Sequence, residues 1–196
     1  MNRLATIIIS CAVAALIAGC ASSPSRFYTL SPTAAPASVP PANYAVSVGP
    51  VSLPAAVDRL QIVVRKGPNQ VFIEEFDRWA SPLKVDIARV VAENLVSMLG
   101  TPLVTVFPTS SAADASYRVV LDVLRFESEP DRAATLDALW TISAAKGGQV
   151  RRSRTTLTES TQGAGYAALV AAHSRALGRL SLEISAAILE METKIR

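Results

Sequence analysis

Histidine and cysteine are nearly absent from this sequence. Its 196 residues hold one histidine, His173, and two cysteines, Cys11 and Cys20. A structural zinc site usually takes four Cys or His ligands, so a resident metal is not expected. Cys11 lies in an N-terminal apolar run that reads as a cleaved leader, which leaves Cys20 with no disulfide partner. A Ser–His–Asp site would have only His173 to use, and that residue falls on the apolar stripe of a predicted helix. The sequence has no Gly-x-Ser-x-Gly elbow, no Gly-x-Gly-x-x-Gly and no phosphate loop ending in Gly-Lys-Ser/Thr. No cofactor and no enzymatic activity are expected. Excess charge is also scarce. The net charge of +3 falls to +2 without Arg3, too weak a field to argue for nucleic acid as a partner. The N-terminal apolar run is too short for the roughly 20 residues of a membrane span.

What is present begins at the N-terminus. Met1-Asn2-Arg3 is followed by Leu4 to Ala18 with almost no polar side chain, the pattern of a secretory signal peptide. Ile17-Ala18-Gly19-Cys20 places two small residues between a branched apolar residue and a cysteine. This resembles the lipobox of bacterial lipoproteins. The resemblance implies cleavage before Cys20, a diacylglyceryl group on its thiol and acylation of the new amine. One acyl chain binds a membrane marginally, whereas two or more anchor stably.

Three regions follow: a signal peptide over 1–19, a tether over 20–42 and one domain over 43–196. Pro24, Pro32, Pro36, Pro40 and Pro41 make the second region an extended linker between lipid and domain. Within it, Arg26-Phe27-Tyr28-Thr29-Leu30 reads as a short edge strand docking on the domain, in preference to a binding motif. Strands are predicted near 44–48 and over 60–65 and 70–76, the last two forming a hairpin across Gly67-Pro68-Asn69. Further strands are predicted over 103–108, 116–128, 134–145 and 149–160, with a turn at Lys146-Gly147-Gly148.

Apolar residues at steps of three and four predict two helices. The first starts at Ser81-Pro82, with Ser81 as cap and Pro82 as first helical residue, and ends near Gly100. The second runs from about Gly165 to near Glu190, with His173 on its apolar face. The fold class is α+β. A two-layer domain is expected, with a mostly antiparallel sheet of about six to seven strands and two long amphipathic helices packed on it.

Two stretches concentrate polar groups among apolar ones. Asp58 and Arg59 precede one strand, and Arg78 and Trp79 precede the first helix. Solvated loop charges are the simpler reading. A partner or subunit contact is the sharper one, because Trp and Arg are enriched at interface hot spots. Arg151-Arg152-Ser153-Arg154 reads as a solvated face, with an anionic-lipid contact as the alternative.

Several stretches together resemble one family. "FYTL" soon after the lipobox cysteine, then "VSVGPVSLPAAVDRLQIVVR", then "FDRWASPL" opening a helix, are similar to the ABC-type transport auxiliary lipoproteins of the paraquat-inducible protein C type. Leu60 departs from the proline often found there. The resemblance implies a periplasm-facing lipoprotein that works with an ABC transporter and an MCE-domain protein in moving lipids across the envelope. It also implies a homo-oligomeric ring. Ala21-Ser22, rather than an aspartate, follows Cys20, which favours the outer membrane over inner-membrane retention. The rival readings are a periplasmic shuttle holding an acyl chain in its own domain and an envelope hydrolase.

Overall fold

The computed structural model describes residues 24–35, 42–109, 112 and 114–195. The predicted signal peptide and Cys20 lie outside these residues. In chain order the elements are β1 (Arg26–Tyr28), β2 (Val46–Ser52), β3 (Gln61–Gly67), β4 (Gln70–Trp79), α1 (Leu83–Leu99), β5 (Val104–Val106), β6 (Tyr117–Glu129), β7 (Ala133–Ala144), β8 (Val150–Ser160) and α2 (Gly165–Ile195).

The α+β class holds, with two helices packed on sheets, but the sheet is divided. A three-stranded sheet has the order β1-β4-β3, and a five-stranded sheet has the order β5-β2-β6-β7-β8. The hairpins pair antiparallel: β3 with β4, β6 with β7, and β7 with β8. The remaining pairs are parallel: β1 with β4, and β2 with both β5 and β6. Both sheets are therefore mixed.

Period-two alternation decides which face of the large sheet is covered. Leu136, Ala138, Trp140 and Ile142 of β7 all point into the core, as their spacing predicts. On β6 the alternation breaks. Tyr117, Val119, Leu121 and Val123 are buried, and then the register shifts between Val123 and Arg125. This bulge adds one residue, so Phe126 and Ser128 turn inward while Leu124 faces out. Strict alternation from Tyr117 would put Phe126 on the outer face with Leu124.

Helix α1 starts at Leu83. Pro82 occupies the cap position and makes no side-chain cap bond, so the predicted Ser81 cap does not form. Gly100 closes the helix in the left-handed region at φ 63°, and its N–H donates to Val96 O. Helix α2 is longer than expected, at 31 residues. Its stripe Leu169, Leu177, Leu180, Ile184 and Ile188 is almost fully buried.

The described part of the predicted tether is docked. Leu30 is buried, and its N–H donates to the Asp86 carboxylate at 2.8 Å. Arg89 Nη2 donates to Leu30 O at 2.7 Å. The N–H groups of Thr33 and Ala34 both donate to Asn94 Oδ1, at 2.9 and 3.0 Å. Asp86 and Asn94 are buried polar residues of α1 because this segment lies on them.

Gly178 of α2 permits the closest approach. A Cβ there would lie 2.0 Å from Thr33 Oγ1 and 3.4 Å from Thr33 Cβ. Gly178→Leu is expected to lever residues 29–34 off the helix. Overpacking of this kind costs about 1–3 kcal/mol. Limited proteolysis should then cut that segment early while the helical circular dichroism stays. An uncut segment would contradict the packing described.

Candidate functional site

The exposed surface at the start of α1 gathers two of the residues singled out by sequence. Asp58 accepts from Lys84 Nζ at 3.2 Å, which ties the loop after β2 to the first turn of α1. Exposed Arg59 follows, and Leu60 O accepts from Trp79 N–H at 2.7 Å. Beside Lys84, Val85 is 52% exposed. Together with Pro50, Val51, Phe107 and Pro108 it lines a shallow cavity of about 490 Å³. The Arg118 guanidinium sits 6.0 Å from the Phe107 ring centroid, at the limit of a cation–π contact. The result is an apolar patch edged by Lys84 and Arg118, with Asp58 tied to Lys84. Such patches with polar rims mark interaction surfaces.

Trp79 is not on that surface. Only 4% of it is exposed, and its ring meets Phe126 and His173 edge-on at 6.1 and 6.3 Å. The sequence reading of Trp79 as a partner contact is therefore corrected: alternation along the last turn of β4 aims it inward. Arg78, next to it, is half-buried and donates from Nε to Glu75 O at 2.9 Å.

Asp77 locks the first strand to the hairpin. It is almost fully buried. It accepts from Arg26 Nε and Nη2 at 2.8 and 2.7 Å, and from Tyr28 Oη at 2.8 Å. Burial pushes its carboxyl up, but the Arg26 guanidinium and the Tyr28 hydroxyl outweigh this and hold it below the usual carboxylate range. Tyr28 also packs near Tyr166, whose hydroxyl donates to Glu74. Sequence reading missed this lock. The signal was present in Arg26 and Tyr28, two residues apart on one face of a strand.

The arginines of β8 are mostly committed. Arg154 grips Asp137 through two bonds of 2.9 and 2.8 Å, and Arg125 adds a third at 3.1 Å. Arg154 first, and then Arg125, keep the Asp137 carboxyl far below its ordinary range despite full burial. Arg151 pairs with Glu190. This leaves a laced face, not a free cationic patch.

His173 is fully buried, stacked on Phe126 at 3.9 Å between ring centroids. Its Nε2 lies 2.8 Å from Ser128 Oγ. That distance suits a serine activated by a base. The rest of such a site is missing. Nδ1 has no hydrogen-bond partner to orient the ring, and burial pushes the imidazole down to about 3. A general base works best with a pKa near the operating pH. Among the described residues no group of three His, Cys, Asp or Glu could hold a metal. No helix among them is long and apolar enough to cross a membrane.

A family model for ABC-type transport auxiliary lipoprotein components matches residues 28–185. The chain belongs to this family. Two crystal structures share the auxiliary lipoprotein's fold. One, of an uncharacterized protein, is 22% identical with a TM-score of 0.69, covering 85% of this chain and 99% of its own. The other is XCC0632 from Xanthomonas campestris, of family DUF330, 20% identical with a TM-score of 0.71, covering 87% and 98%. A PelC dodecamer from Paraburkholderia phytofirmans is more distant, at 14% identity over 78% of this chain and 90% of its own, with a TM-score of 0.40. No curated protein matches the chain.

Proposed function

We propose that this auxiliary lipoprotein is the anchored docking subunit of an MCE/ABC envelope lipid-transport system. Cys20 holds it in the outer membrane, facing the periplasm, and copies assemble into a ring. The observation that carries this reading is the family match over residues 28–185 in a chain with a lipobox at Ile17–Cys20. The apolar patch around Val85 and Phe107, with Asp58 tied to it through Lys84 and exposed Arg59 next in sequence, supplies a surface for the MCE-domain protein. Arg78, half-buried on β4 away from this patch, remains a candidate contact for a second copy of the chain.

Crosslinking in whole cells followed by purification of this protein should recover the MCE-domain protein. Repeated recovery of the auxiliary lipoprotein alone would contradict the partner. Cys20→Ser isolates the anchor. It is expected to abolish acyl modification, leaving uncleaved or misrouted protein outside the outer-membrane fraction. Normal globomycin-sensitive processing of that variant would show that another residue is the attachment point.

A further inference from the structure

We infer that the turn end of the β3–β4 hairpin lies against the bilayer that holds the Cys20 lipid. Five large apolar side chains are exposed along β4 and the adjoining β1: Val71 57%, Phe72 51%, Ile73 44% and Phe76 39% on β4, and Phe27 63% on β1. Single exposed apolar residues are ordinary, but a cluster on adjoining strands is not. Three of the chain's five phenylalanines belong to this cluster. The two strands of the hairpin differ sharply. On β3, Val63 and Val64 are buried, whereas their partners on β4, Ile73 and Phe72, are open. The hairpin therefore turns β3 to the domain and β4 outward.

The path of the chain names what covers this surface. Strand β1 runs parallel to β4, with Arg26 opposite Asp77 and Tyr28 opposite Trp79. The described chain thus enters at Pro24 from the side of β4's earlier residues, which is the turn end of the hairpin. Cys20 precedes Pro24 by four residues, so it lies within about 14 Å of it. From Asp77 back to Val71 is six residues of β4, about 20 Å at most. The attachment point therefore lies on the same side of the small sheet as the apolar cluster on β4.

Docking of residues 29–34 on α1 removes the slack that a free tether would give. An anchor at Cys20 then holds this end of the domain close to the membrane. Aromatic and aliphatic side chains on such an end gain by entering the interfacial layer. The local charge is mixed, with exposed Lys66 and half-buried Arg78 beside Glu74 and Glu75. Apolar burial therefore carries the contact, and it does not depend on anionic lipid.

This inference rests on Cys20 as the anchor, and the test separates the two. The full-length, processed protein is reconstituted in phosphatidylethanolamine/phosphatidylglycerol vesicles. With Cys20 acylated, an introduced thiol is the sole labelling site. Phe72→Cys carries an environment-sensitive fluorophore, and Leu182→Cys, on the exposed side of α2 at 59%, is the control. Phe76→Cys replaces Phe72→Cys if that variant does not fold. The label on the hairpin should shift to the blue and lose emission to lipids bearing brominated chains, while the α2 label stays solvent-like. Vesicle-bound protein whose hairpin label is unquenched overturns the inference and leaves the anchor standing. A label that is shielded but not quenched by lipid also overturns it, and assigns the surface to a protein contact. Protein that does not float with vesicles and carries no acyl mass overturns both.

Discussion

Trp79→Ala is expected to destabilise the domain by about 3–5 kcal/mol, the range for removing a buried indole. Trp79 packs edge-on against both Phe126 and His173 and is only 4% exposed. Its removal leaves a cavity where β4 meets the inward-turned end of β6. Neither flank can collapse easily, because the Asp77 lock and the β6 bulge fix the surrounding backbone. Chemical denaturation should show the midpoint falling sharply with an unchanged slope. Arg78→Ala, one residue away, should move stability by about 0.5 kcal/mol or less, as surface changes do. Equal stability of Trp79→Ala and the parent, with weakened association instead, would restore Trp79 to an interface.

Acidification is the second large effect. His173 is neutral in the fold, with burial pushing it from its ordinary 6.5 down to about 3. The unfolded chain therefore binds a proton that the folded chain does not. Stability is full above the unfolded pKa and is lost as pH falls from 6.5 toward 3. By pH 5 the loss relative to pH 8 is about 2 kcal/mol, at 1.36 kcal/mol per unit. The window is clean because the chain has one histidine. Asp137 acts in the same direction but only at lower pH, where its own ordinary range begins. His173→Gln should keep a hydrogen-bonding group near Ser128 and flatten the slope between pH 8 and 5, whatever it does to absolute stability. A wild-type protein with no pH dependence in that window would contradict the burial of a neutral ring.

The same residue shows how far sequence carries. Helical spacing put His173 on the apolar stripe of α2, and it is there, fully buried. Both helices and the long strands β6, β7 and β8 are legible because each repeats its period over ten residues or more. Pairing direction is not legible. Nothing in "YAVSVGPVSL" says that β2 lies parallel between β5 and β6, since a strand's pattern records which face is buried and not its neighbour's direction. The bulge on β6 is hidden for a similar reason. Leu124 and Phe126 are both apolar, so the alternation looks intact although Phe126 has changed face.

The candidate site was legible by composition and not by burial. Asp58 and Arg59 sit on the exposed surface, while Trp79 belongs to the core. A tryptophan beside charged residues suggests an interface, but on a strand its neighbours point the other way. Asp86 and Asn94 look like solvent-facing positions of α1. They are buried because a segment some 60 residues earlier lies across them. Long-range docking by a proline-rich stretch has no local signature.

The central claim is a Cys20-anchored docking subunit, and in-cell photocrosslinking tests it most directly. A benzophenone side chain placed at Val85 of the full-length protein sits on the apolar patch at the start of α1. A covalent adduct with the MCE-domain protein is expected, and it should disappear in Cys20→Ser cells. No such adduct from Val85, Arg59 or Phe107, in cells where the protein is processed and membrane-bound, would contradict the claim.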